Sequence, residues 1–253
     1  MKVAIIQHVI KENELEWNLK QISRLLDRQA GADLFVLSET FATGFLAEGS
    51  TAQAPVQSKQ TVAWMQQEAR RLDAAIAGSV ATVDDEGMLR NRLFFVRPDG
   101  SYDHYDKRHL FSYAGENKEY VPGNRRVVVG WRGVRFLLQV CYDLRFPVFS
   151  RNHDDYDAAI YVANWPAKRR DSWQVLLKAR AIENQCFVIG VNIVGSDKVC
   201  EYAGDSAVIN AYGHVIAACT PGMEDTAVAG LDMEALRHFR EKFPVLKDTD
   251  DIL

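Results

Sequence analysis

Nothing in this 253-residue sequence approaches the roughly 20 consecutive apolar residues that cross a bilayer. The amino terminus, MKVAIIQHVI, is too short for a signal peptide and lacks a small-residue cleavage site, so it reads as a first strand. Cysteine is sparse: Cys141, Cys186, Cys200 and Cys219 form no C-x-x-C pair and do not cluster with histidine. That argues against a disulfide framework and against a zinc site, and it points to a reducing cytoplasm. A surplus of positive charge is missing too. Net charge is −4 and the basic residues are scattered, with AKRRD from Ala167 reading as a solvated face. Neither nucleic acid nor a membrane is therefore expected as a partner. Low-complexity linkers and internal repeats are absent.

Apolar material for a core is plentiful, at 47% of residues, and the length fits one large α/β domain over 1–253 with a tail from about 241. Strand-like and helix-like segments alternate. VAIIQHV precedes a helix carrying Leu15, Leu19, Ile22 and Leu26 at helical spacing, with Gly31 as its stop. DLFVLSE, AAIAGSVATV and a pair of strands around Asp99–Gly100 follow, with a helix near Thr61–Leu72 and a loop containing Gly44 and Gly49. The second half opens with a hairpin broken at Gly133. It continues with a helix expected from Pro147 to about Asp155, the strand YDAAIYVAN, and a helix with Trp173, Leu176, Leu177 and Ala181 on one face. Four strands in quick succession, a short helix and an acidic tail complete the chain. Elements in this ratio suggest sheets covered by helices, without saying whether there is one sheet or two.

Four side chains stand out by position. Glu39 follows DLFVLS, Lys107 ends SYDHYD, Cys141 follows FLLQV and Asn164 follows AAIYVA, each at the carboxyl end of a strand-like run. That edge of an α/β sheet is where ligands bind, because loops converge there on rigid strands. A thiol becomes a nucleophile when a helix amino terminus or a cation lowers its pKa, and the helix expected at Pro147 would supply such a terminus. A free cysteine is more often a small buried filler, as Cys186, Cys200 and Cys219 read. A partly buried Glu39 suits a general base. Lys107, among Asp106, Arg108 and His109, suits stabilisation of thiolate or oxyanion, and His109 is the alternative base of a Cys–His pair. On the residues alone, a solvated strand-end glutamate and a solvated charge run remain open.

The blocks LSETFATGF, YDKRHLF, VCYDLRFP, VANWP and ARAIENQ, in this order across about residues 1–240, resemble the nitrilase (carbon–nitrogen hydrolase) superfamily. CYDLRFPVFSRN, YVANWPA, ARAIENQ and REKFP are similar to its bacterial omega-amidase branch. The resemblance implies an α/β fold, a four-layer αββα sandwich, with a triad of Glu39, Lys107 and Cys141. It also implies a second glutamate, for which the spacing to Pro122 selects Glu116 over Glu119. The expected oxyanion hole is Lys107 with the backbone N–H of Tyr142. Trp165, Phe45, Tyr113 and Arg169 are the candidate substrate contacts, with Phe41 as a further wall and Arg145 as a structural ion-pair residue.

The implied reaction hydrolyses a small-molecule amide, the terminal amide of 2-oxo dicarboxylic acid monoamides such as 2-oxoglutaramate and 2-oxosuccinamate, through a cysteine thioester. It calls for no metal and no organic cofactor. A homodimer formed through helices is expected from the same resemblance. The alternatives are an N-carbamoyl amide hydrolase or a nitrilase with the same triad, and, from another class, a non-catalytic α/β binding protein with Cys141 merely buried.

Overall fold

Successive residues of the first strand face two different cores. Val3 and Ile5 enter one apolar cluster, while Ala4 and Ile6 enter another. A strand apolar on both faces must be covered on both sides, and this requirement builds the layers. The computed structural model describes residues 1–44 and 53–248. In chain order the first half contains β1 (Lys2–Gln7), α1 (Leu15–Asp27), β2 (Leu34–Val36), α2 (Ala54–Leu72), β3 (Ala75–Val83), β4 (Leu89–Val96), β5 (Tyr102–Asp106) and α3 (Glu116–Glu119). The second contains β6 (Val128–Trp131), β7 (Val134–Val140), β8 (Ala158–Ala163), α4 (Arg170–Glu183), β9 (Phe187–Asn192) and a ribbon of β10 (Val194–Ser196) with β11 (Glu201–Ala203). β12 (Ala207–Ile209), β13 (Val215–Ala218), β14 (Asp225–Gly230) and α5 (Met233–Lys242) follow.

Two six-stranded sheets form, ordered β14-β1-β2-β3-β4-β5 and β13-β12-β9-β8-β7-β6. Each has a parallel centre, β1-β2-β3 in one and β7-β8-β9 in the other, flanked by antiparallel strands. The sheets pack face to face, and Phe95 of β4 meets Phe136 of β7 with ring centroids 5.8 Å apart. On the outer face of the first sheet, Ile22, Leu25 and Leu26 of α1 and Met65 and Ala69 of α2 cover Phe35, Ile76 and Phe94. Trp173, Leu177 and Ala181 of α4 join the core of the second sheet. Gly190 of β9 lets α4 sit close, because a β-carbon there would strike Leu177 and Trp173. The result is the four-layer αββα sandwich.

Three elements differ from the sequence expectation. α2 starts at Ala54 rather than near Thr61, because Pro55 opens it. The polar first turns carry buried Gln57 and Ser58, which hide the apolar period. The helix expected over Pro147–Asp155 does not form. A 3-10 turn covers Cys141–Arg145, and Asn152 binds the carbonyls of Tyr156 and Asn184 while accepting from Asp155. Short polar side chains that capture backbone groups compete with helix in this way. The run CFVIGVNIVG splits into β9 and the first strand of the ribbon. Gly49 lies outside the described residues.

Phe95 and Phe136 link the two sheets, so their removal should show in equilibrium unfolding. Phe136→Ala is expected to cost about 3–5 kcal/mol. In urea titrations the double variant with Phe95→Ala should lose less than the sum of the singles, because the rings touch.

Candidate active site

The parallel strands of both sheets deliver their carboxyl ends to one edge. After β2 the chain stays paired through Leu37 N–H to Ala77 O, then turns at Thr40, whose φ is 41° and whose N–H donates to Ser79 Oγ. Glu39 is thereby aimed between the sheets. Lys107 directly follows β5, held by its own N–H on Asn91 O and by Gly123 N–H on its carbonyl. Gly123 is required there, since a β-carbon would collide with the Asp106 carbonyl. Glu116 opens α3 next to Gly115. Cys141 directly follows β7 and takes a left-handed φ of 45°, a strained conformation for a non-glycine residue that costs on the order of 1–3 kcal/mol.

These side chains meet. Lys107 Nζ donates to Glu39 Oε1 at 2.8 Å and to Glu116 Oε1 and Oε2 at 3.0 and 2.8 Å. Asn91 Nδ2 donates to Glu39 Oε1 at 2.8 Å and to Glu116 Oε1 at 3.0 Å. Asn164, at the end of β8 in the other sheet, donates its backbone N–H to Glu39 Oε2 at 2.9 Å. The Cys141 thiol completes the group, near enough that the charges of Glu39, Lys107 and Glu116 all act on it. Lys107 is 1% exposed, so both carboxylates act on it almost without water. Burial alone would lower the Lys107 pKa, but Glu116 and Glu39 override it and hold the ammonium well above its ordinary value.

The thiol behaves oppositely to the sequence expectation. Burial, and then the negative charge of Glu39, push the Cys141 thiol well above its ordinary value, against the pull of Lys107. No helix amino terminus lies beyond it to oppose this, since the 147–155 segment is not helical. Cys141 therefore rests as a thiol beside a carboxylate.

The Carbon-nitrogen hydrolase family profile matches residues 2–241. The chain belongs to the carbon-nitrogen hydrolase family. It is 47% identical to the omega-amidase YafV of Escherichia coli strain K12, across 99% of this chain and 97% of that protein. It is 32% identical to a 2-oxoglutaramate amidase of Bacillus subtilis, across 97% and 96% of the two chains. Among solved structures, a carbon-nitrogen hydrolase superfamily protein of Xanthomonas campestris, with an arsenic adduct in its active site, superposes with a TM-score of 0.95. It shares 40% identity over 100% of this chain and 98% of that one.

For this carbon-nitrogen hydrolase, Glu39, Lys107, Glu116 and Cys141 are thus brought together. His109 is not the thiol's partner. Its Nδ1 bonds Asp143 Oδ1 at 2.8 Å and its ring stacks on Phe146 at 3.9 Å. Tyr142 follows the thiol in the 3-10 turn, its ring edge-on to Phe111 and Phe146. Trp165 is buried against Trp173, with Nε1 donating to Arg169 O. Arg145 is not an ion-pair residue among the described residues: its guanidinium lies 5.0 Å from the Trp165 ring centroid. Arg169 lies likewise over Phe111 at 5.3 Å. Tyr113 is 86% exposed and touches Phe111 at its rim. Phe41 packs into the helix-side core against Trp64. Phe45 lies outside the described residues.

Sequence reasoning missed Asn91. Its signal was present: in LRNRLFFV the row Leu89, Asn91, Leu93 and Phe95 is the buried one, and Asn91 is its polar member. Asn91→Ala removes the amide shared by the two carboxylates, and each hydrogen bond to a charged group is worth about 1.5–3 kcal/mol. Urea unfolding is expected to show a loss on that scale, and steady-state assays a turnover at least about 10-fold lower.

Proposed function

We propose that this carbon-nitrogen hydrolase is an omega-amidase that releases ammonia from the terminal amide of a 2-oxo dicarboxylic acid monoamide, through a thioester on Cys141. One observation carries the reading: the buried Glu39 carboxylate that holds the Lys107 ammonium also acts with its charge on the Cys141 thiol. Two carboxylates and one ammonium leave one net negative charge in the cluster. When the thiol proton moves to Glu39, that net charge is unchanged, so no new charge is created out of water.

The thiolate attacks the amide carbon. The oxyanion forms against Lys107 Nζ and the Tyr142 N–H, and loss of one such donor costs about 3–4 kcal/mol of barrier. Glu39 returns its proton to the departing ammonia, and the thioester remains. Glu39 then takes a proton from the attacking water, and the acid leaves as the thiol reforms. Glu116 orients Lys107: one Nζ N–H shared between its two oxygens and a second on Glu39 leave the third for the oxyanion.

A substrate with a far carboxylate needs a cation there. The Arg145 and Arg169 guanidiniums support this: each lies on an aromatic ring, and neither is hydrogen-bonded or ion-paired among the described residues. The names of the Escherichia coli and Bacillus subtilis relatives support the same substrate class. A homodimer in the cytoplasm belongs to this reading; Val175 and Ile182 of α4, 63% and 54% exposed, support the association through helices.

A panel of amides, ureido acids and nitriles, followed by ammonia release, tests the substrate class. 2-Oxoglutaramate or 2-oxosuccinamate should be turned over best, and turnover of nitriles alone would overturn the proposal. Within that panel, Arg145→Ala and Arg169→Ala should raise KM for the 2-oxo acid amides roughly 10-fold or more while sparing a short uncharged amide. Glu39→Gln should abolish acylation and slow alkylation of Cys141, whereas His109→Asn should have a modest effect; rapid-quench measurement of the thioester distinguishes them.

A further inference from the structure

The Asp143 carboxylate is fully buried, yet none of its hydrogen bonds comes from lysine or arginine. Oδ1 accepts from the His109 backbone N–H at 2.9 Å and from His109 Nδ1 at 2.8 Å. Oδ2 accepts from Tyr105 Oη at 2.8 Å and from the Val140 backbone N–H at 2.9 Å. Tyr105 Oη in turn accepts from the Arg108 backbone N–H at 3.0 Å. Val140 immediately precedes Cys141. Tyr105, Arg108 and His109 bracket Lys107 on both sides. These two segments belong to different sheets, β7 and β5.

We propose that Asp143 is a positioning residue for amide hydrolysis: its carboxylate clamps the Cys141 turn of one sheet to the Lys107 segment of the other and fixes the spacing between nucleophile and ammonium. The inference rests on the proposed roles of Cys141 as nucleophile and Lys107 as oxyanion donor. Apolar contact between sheets is non-directional and tolerates sliding. Hydrogen bonds are directional, and here both oxygens each take two donors. The Val140 bond also closes the turn that holds Cys141 in its left-handed conformation. His109 gains a definite role, as the other jaw of the clamp: its backbone and ring both grip Asp143, and Phe146 holds the ring flat. An asparagine at 143 would turn an NH2 toward two donors, and a glutamate would keep the charge but displace it by one methylene.

The experiment measures kcat, KM, the rate of Cys141 alkylation by iodoacetamide and the thermal melt for wild type, Asp143→Asn, Asp143→Glu, Tyr105→Phe and Cys141→Ala. Both Asp143 variants should lose roughly 100-fold in kcat, the scale of an ångström-sized misplacement. KM should stay within about threefold, and alkylation should slow in parallel. Loss in Asp143→Glu marks position rather than charge as the cause. Tyr105→Phe removes one donor of the four and should lower kcat roughly 10-fold while melting cooperatively. If Asp143→Asn does not fold, Tyr105→Phe decides alone. A folded Asp143→Asn or Tyr105→Phe with wild-type kcat and alkylation rate overturns the clamp. Turnover retained in Cys141→Ala sinks instead the nucleophile assignment beneath it.

Discussion

A buried ammonium held between two carboxylates sets the terms for the rest of this molecule. Lys107 is almost without water, and burial by itself would lower its pKa. Its charge is favoured because Glu39 and Glu116 arrive together, one from the end of β2 and the other from the short α3. Removing one partner of such a buried pair leaves an uncompensated charge and costs about 3–5 kcal/mol. A domain's whole stability is only about 5–15 kcal/mol. The chain therefore cannot keep this cluster without keeping β2, β5 and α3 in register, and the site and the fold stabilise one another.

The four layers follow from the same demand. A single sheet could present Glu39 and Lys107 at one edge, but Cys141 and Asn164 come from a second sheet packed against the first. Both sheets carry parallel strands at their centres, so the ends of β2, β7 and β8 point the same way. β4 runs antiparallel and brings its beginning, with Asn91, to that edge. The inner core thus has two tasks: it removes apolar surface from water, and it sets the separation across which one Glu39 carboxylate accepts hydrogen bonds from both sheets.

Much of this was legible in the sequence, for identifiable reasons. Strands such as LFV and AAIYVA are short, apolar runs that end abruptly in a polar residue, so Glu39 and Asn164 stood out by position. Glu116 and the four-layer arrangement came through resemblance, because periodicity carries no information about how sheets stack. The Pro147 helix failed because Ser150, Asn152 and Asp155 take part in local hydrogen bonds that a pattern of apolar residues cannot register. Asn91 and Asp143 were missed for a related reason. Each reads as an ordinary polar residue, and its importance lies in partners such as Glu39 for Asn91 and Tyr105 and His109 for Asp143, far apart in the chain.

The thiol illustrates why direction matters more than mere proximity of charge. Sequence position suggested a cysteine made acidic by a helix and a cation. The structure instead surrounds Cys141 with a net negative cluster that disfavours a free thiolate. On the proposed mechanism the proton moves to Glu39, so the decisive step redistributes charge within the cluster and leaves its total unchanged. It does restrict the substrate: a second anion close to the sulfur would be repelled by Glu39 and Glu116. A substrate carboxylate is tolerable only at a distance from the sulfur, and on the proposed reading it would meet Arg145 and Arg169, which lie on Trp165 and Phe111. A molecule that is neutral where it reacts and anionic at its far end satisfies both conditions, and a terminal amide with a distal acid group is that molecule.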